Sequence, residues 1–133
     1  MGPLASRQQL DDVLQGMRTL SEHARLACGG PARTTEQGYF VAPTIFVATD
    51  VDAEPIHALE VFGPCATVLP YSGDPAEAIR LANRGGGGLV ASLYSNDRDF
   101  TERTVLGIAP WHGRVWIGSD KVAEQAWQPG MVL

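Results

Sequence analysis

The sequence predicts an α/β fold built on a parallel sheet, and three observations carry that expectation. Short apolar runs rich in β-branched and aromatic residues recur at "CATVLPY" (65–71), "LVASLYS" (89–95) and "GRVWIGS" (113–119). Helical patterns fill the gaps between them, and strand, helix, strand, helix, strand implies right-handed crossovers with helices packed on the sheet. The chain has 133 residues, 44% of them hydrophobic and 19% charged, enough for one domain with a real core and too apolar for a disordered chain.

Each element has a local reason. Ser6 is a helix N-cap, and Leu10, Val13, Leu14, Met17 and Leu20 fall at helical spacing on one face. "CGGP" (28–31) is expected to stop that helix, with glycine after the last turn and proline beyond it. "GYFVAPTIFVAT" (38–49) reads as extended, with Pro43 favouring an edge or a break over a central strand. "CATVLPY" reads as a buried strand. "DPAEAIRLANR" (74–84) opens with Asp74 as N-cap, Pro75 in the first turn and Glu77 at the capping-box position. Asn96 to Ala109 is a second, less regular helix between the last two strands.

Bulk properties exclude several functions. A net charge of -5 opposes nucleic acid or an anionic membrane as partner, since both need clustered Lys and Arg. No apolar stretch approaches the roughly 20 residues of a spanning helix, and the N-terminus lacks a signal-peptide pattern. Two cysteines and three scattered histidines make neither a disulfide framework nor a metal site, so the expected compartment is a reducing cytoplasm.

The motifs divide between chemistry and structure. "GGGG" (85–88) resembles a phosphate loop in composition only. A phosphate cradle opens a helix, whereas these glycines follow a helix C-terminus, where the dipole is negative, and so read as a helix stop. Cys28 and Cys65 lack the cation, His or helix N-terminus that lowers a thiol pKa, so both read as structural. His57 reads as a satisfied group near a helix end, and His112 as turn chemistry before a strand. Glu60, inside "HALEVFGP" (57–64), leaves two readings open. It is a solvent-facing charge, or its two carboxylate oxygens accept hydrogen bonds from a vicinal diol while Phe62 packs beside a planar ring.

In sequence order, "MGPLAS" followed by a helix, "GYFVAPTIF", "EVFGP", "DPAEAIRLAN", "GLVASLYSND" and "GRVWI" resembles the C-terminal half of the catalytic domain of NAD(P)-dependent aldehyde dehydrogenases. The resemblance covers nearly the whole chain. It implies that Glu60 binds the hydroxyls of the nicotinamide ribose and that Phe62 packs by the nicotinamide. Gly63 and Pro64 would shape the turn into the next strand. "RGGGGLVASLYSND", "IHALEVFGP" and "TVLPY" are similar to the coenzyme A-linked semialdehyde dehydrogenases of phenylacetate and benzoate breakdown.

The departures limit what carries over. In that family the nucleophilic Cys lies upstream of the "MGPL" stretch, so neither Cys28 nor Cys65 inherits its role. By the resemblance, residues 1–133 read as a partial catalytic domain without the cofactor domain, the nucleophile segment or the C-terminal tail. No catalytic residue and no metal ligand is then expected in the chain, and NAD or NADP would bind in the complete parent rather than to this part alone. Residues from Lys121 to Trp127 would supply one wall of a substrate tunnel. Two functions remain: part of an NAD(P)-dependent dehydrogenase that oxidises an aldehyde or semialdehyde to an acid or acyl product, or a non-catalytic module with a packing or subunit-contact role. Either way, apolar strands with few covering helices lead us to expect a homo-oligomer.

Overall fold

Ser6 opens the first helix, α1 (Arg7–Ser21), as its residue type predicts: its hydroxyl accepts a hydrogen bond from the Gln9 amide at 3.1 Å. The structure is a computed structural model that describes residues 1–125. It divides into two compact units, Met1–Pro70 and Tyr71–Leu133.

In the first unit, α1 ends earlier than "CGGP" suggests. The Glu22 amide donates back to Thr19 and Leu20, and His23 to Leu20, a tightening that closes the last turn. Ala24–Cys28 then form strand β1, which runs antiparallel to β2 (Thr44–Ala48), while β2 pairs in parallel with β3 (Cys65–Val68). The sheet is therefore mixed, in the order β1-β2-β3, and β2 is central. Pro43 is tolerated because it stands just before β2, outside the ladder. The glycines of "CGGP" terminate β1 instead of the helix. Gly29 has φ +75, and a β-carbon on it would strike the Pro43 carbonyl, so only glycine fits this close approach.

The core of this unit is the apolar stripe of α1 laid on the sheet. Leu10, Val13, Leu14, Met17 and Leu20 meet Ala24, Val41 and Phe46, with Phe46 wholly buried. Side chains of this size contribute about 1.5–3 kcal/mol each when fully buried. A short helix, α2 (Glu54–Ala58), lies between β2 and β3 in the chain. β3 alternates half-buried and exposed positions, so it is not the buried strand its composition suggests.

The second unit is α3 (Pro75–Arg84), β4 (Gly88–Tyr94), α4 (Arg98–Ile108), a 3-10 turn at Ala109–Trp111, β5 (His112–Gly118) and α5 (Asp120–Gln125). Asp74 caps α3 by accepting from the Ala76 amide at 2.9 Å. Glu77 reaches back past the cap to the amide and hydroxyl of Ser72, rather than to Asp74 as a standard capping box would. β4 and β5 pair in parallel as a two-stranded sheet, so the later strands are not all in one sheet. Helices α3 and α4 meet at Gly107, where an added β-carbon would lie 2.6 Å from Ile79; Asn83 donates to the Gly107 carbonyl at 3.0 Å.

Candidate functional site

Glu60 and Phe62 lie on the segment between α2 and β3, and three contacts fix that segment on α1. Val61 sits on Gly16, where an added β-carbon would come within 2.9 Å of its Cγ2. Gly63 sits on Val13, which is 1% exposed. The side-chain amide of Gln9 donates to the Phe62 carbonyl at 2.7 Å. Two tight turns follow: Gly63 donates to the Val61 carbonyl and Cys65 to the Gly63 carbonyl, each at 2.8 Å. The Pro64 carbonyl then accepts from Thr44 at 2.8 Å, which seats β3 beside β2. Gly63 and Pro64 thus form the corner into the strand that the sequence implied.

With Val61 and Gly63 turned to α1, Glu60 and Phe62 stay accessible, and Phe62 is 69% exposed. They border a groove of about 640 Å³ whose other wall is the polar face of α1, with Gln8, Gln9, Asp12, Gln15 and Thr19. That volume suits a small-molecule ligand. Among the described residues, its lining carries two carboxylates, Glu60 and Asp12, and no Lys, Arg or His. Such a wall accepts hydrogen bonds from hydroxyls and favours a neutral or cationic group over an anion.

The other sequence candidates resolve structurally. Nε2 of His57 donates to the Val51 carbonyl at 2.7 Å, and Nδ1 of His112 to the Ile108 carbonyl at 2.9 Å. Gly85 is the C-cap residue of α3, and Gly86 and Gly87 both have positive φ, so "GGGG" is a helix stop and turn. Cys28 is exposed at the end of β1. Cys65 is half-buried, and desolvation pushes its thiol pKa up, away from the thiolate form. Among the described residues no group of three His, Cys, Asp or Glu is placed to hold a metal ion, and no helix is long and apolar enough to cross a membrane.

Two features escaped the sequence reading. Gln9 was one, although Ser6-Arg7-Gln8-Gln9 has the spacing of a capping box. The second is a crevice of about 430 Å³ at the carboxyl ends of β4 and β5, bordered by Ser95, Asn96, Asp97, Arg98, Ser119 and Lys121. Asn96 of this crevice exchanges reciprocal hydrogen bonds of 2.7 and 3.0 Å with Asp120. The signal was a polar triplet after each apolar run, Ser95-Asn96-Asp97 and Ser119-Asp120-Lys121, at the strand ends where α/β sheets take ligands. Lys121 of the expected tunnel wall stands at this rim; Trp127 lies outside the described residues.

Residues 1–130 match the family model described as Aldehyde dehydrogenase family. The chain is 37% identical to the 3,4-dehydroadipyl-CoA semialdehyde dehydrogenase of Aromatoleum evansii, with 88% of the chain and 24% of that protein matched. It is 34% identical to the phenylacetaldehyde dehydrogenase of Pseudomonas fluorescens, over 93% of the chain and 24% of that protein. The solved NAD+ complex of an aldehyde dehydrogenase from Bacillus cereus superposes with a TM-score of 0.75 at 34% identity, covering 88% of the chain and 23% of that structure. The chain thus spans about a quarter of the length of each of these relatives. On this evidence the chain belongs to the aldehyde dehydrogenase family.

Proposed function

We propose that this chain is the part of an NAD(P)-dependent aldehyde dehydrogenase catalytic domain that holds the nicotinamide riboside half of the cofactor. The observation that carries this reading is the placing of an exposed carboxylate, Glu60, and an exposed ring, Phe62, at one groove whose lining is acidic and free of cations. That chemistry fits the group: a ribose diol donates to the two oxygens of Glu60, and the positively charged nicotinamide of the oxidised cofactor meets a negative wall and a flat apolar face. Glu60 and Phe62 would hold the nicotinamide riboside, and the bound group would supply the hydride acceptor for aldehyde oxidation. Glu60 fixes the sugar, Phe62 limits the tilt of the ring, and the contacts of Val61 and Gly63 with α1 keep both in place. We assign the nucleophilic thiolate of such an enzyme to neither Cys28, exposed on a strand, nor Cys65, whose thiol pKa is raised by burial.

The substrate class we assign is a semialdehyde, in line with the dehydroadipyl-CoA semialdehyde dehydrogenase among the relatives. Free cysteines suit a cytoplasmic enzyme. The rival reading, a packing module without catalysis, draws on the exposed apolar residues of β4 and β5 but leaves the acidic groove without a role.

Competition between cofactor halves tests the proposal in the complete dehydrogenase. Glu60→Gln weakens charge-assisted hydrogen bonds that are worth about 1.5–3 kcal/mol each. Inhibition by nicotinamide mononucleotide should therefore weaken about tenfold or more, while inhibition by adenosine monophosphate stays unchanged. Equal inhibition of both forms by nicotinamide mononucleotide would contradict it.

A further inference from the structure

The acidic groove has a wall made of two chain segments far apart in sequence, and one side chain ties them with every polar atom it has. The Gln9 carbonyl oxygen accepts from the Ala5 amide at 2.8 Å, and its NH2 group donates to the Phe62 carbonyl at 2.7 Å. Its backbone amide donates to the Ser6 hydroxyl at 3.1 Å. A backbone N–H can only donate and a backbone carbonyl can only accept, so these partners admit a single orientation of the Gln9 amide.

We propose that Gln9 is the positioning residue of this groove, joining the N-terminal turn of α1 to the carbonyl of Phe62 so that Glu60 and Phe62 face the ligand in one fixed geometry. Its consequence for function rests on the reading of Glu60 and Phe62 as the nicotinamide riboside site; the tether itself does not. The neighbouring contacts leave that role open. Val61 on Gly16 and Gly63 on Val13 are apolar and set how closely the segment approaches α1. They turn positions 61 and 63 to α1, and so the side chains at 60 and 62 away from it, but they set no direction for the peptide plane that follows Phe62. A directional hydrogen bond to the Phe62 carbonyl does.

The two halves of the tether can be separated. Gln9→Glu keeps an oxygen for the Ala5 amide and adds a negative charge in the first turn of a helix, where the dipole favours it. It removes the only kind of group that can reach the Phe62 carbonyl, a donor. Ser6→Ala does the reverse, weakening the helix cap while leaving the Gln9 amide in place.

The test is NMR and thermal unfolding on the 133-residue chain with these variants and Gln9→Ala. In Gln9→Glu the melting temperature and the protection of the Ala5 amide are retained. The Phe62 carbonyl resonance moves upfield, and backbone order parameters at 60–63 fall from about 0.85 towards 0.6. Ser6→Ala melts earlier with the Phe62 carbonyl unmoved, and Gln9→Ala shows both effects. An unmoved Phe62 carbonyl and unchanged order at 60–63 in Gln9→Glu overturn the proposal and leave Gln9 a helix cap only. Inhibition of the complete dehydrogenase by nicotinamide mononucleotide separates the two claims. Inhibition weakened several-fold by Gln9→Glu and by Glu60→Gln supports both. Inhibition unchanged by Glu60→Gln, with a loop still freed by Gln9→Glu in the 133-residue chain, contradicts the riboside site and upholds the tether.

Discussion

Gly63 lies against Val13 with no room for one more carbon: a β-carbon on it would stand 2.7 Å from both Cγ1 and Cγ2 of the valine. Val13 is 1% exposed in the core between α1 and the sheet, so it cannot move aside without strain. Gly63→Ala should therefore destabilise the chain by about 1–3 kcal/mol through overpacking. A urea titration reads this as a lower midpoint at unchanged slope. A wild-type midpoint would mean that the corner is looser than its geometry implies.

The two thiols should differ in reactivity. Burial raises the Cys65 pKa, so the folded state favours its protonated form. The stabilising contribution is complete below the ordinary thiol range and is lost as pH rises through the raised value. Iodoacetamide should alkylate exposed Cys28 first under native conditions, and Cys65 only at more alkaline pH or on unfolding. Mass spectrometry of timed samples checks the order, and Cys65 reacting as fast as Cys28 near neutral pH would contradict it.

Part of this was legible in the sequence because the signals were local. Asp74 and Pro75 announce the start of α3 by cap and backbone chemistry, and the polarity of "GGGG" follows from standing after a helix. β1 was not legible. The middle of "HARLAC", Ala24 to Ala27, is built of residues that favour helices, and only pairing with β2 makes Ala24–Cys28 a strand. The one clue is that the stripe of large apolar residues on α1 stops at Leu20. The candidate site was half legible. Glu60 and Phe62 stand out because a charge interrupts an apolar run before a rigid corner. Their wall on α1 depends on contacts such as Gln9 to Phe62, 53 positions apart, which no local pattern encodes.

The 133-residue chain alone should turn over no aldehyde. The motive is the setting of its two cysteines, one exposed on a strand and one whose thiol pKa burial raises, away from the thiolate; loss of a nucleophile costs many orders of magnitude in rate. Absorbance of reduced cofactor, followed with NAD+ or NADP+ and a range of aldehydes, checks this. Steady turnover that disappears in Cys28→Ser or Cys65→Ser would contradict it.

The same chain should associate in solution. Leu89, Val90 and Tyr94 of β4 and Trp116 and Ile117 of β5 are all exposed, on a sheet of two strands whose outer edges are unpaired among the described residues. Covering several hundred Å² at ~25 cal/mol per Å² yields several kcal/mol, enough to offset the entropy of association at micromolar concentration. The net charge of -5 opposes this weakly at physiological salt. Sedimentation equilibrium should show a dimer or larger species, diminished by Leu89→Lys. A single-chain mass at every concentration would contradict the expectation.

Hydride transfer in the complete dehydrogenase tests the account most directly. If Glu60 fixes the nicotinamide ribose, Glu60→Gln loosens the placing of the acceptor ring while leaving attack on the aldehyde intact. Single-turnover rates of cofactor reduction should fall about tenfold or more, and an aldehyde deuterated at its carbonyl carbon should show a larger primary isotope effect in the variant than in the wild type. An unchanged rate together with an unchanged isotope effect would contradict the assignment of Glu60.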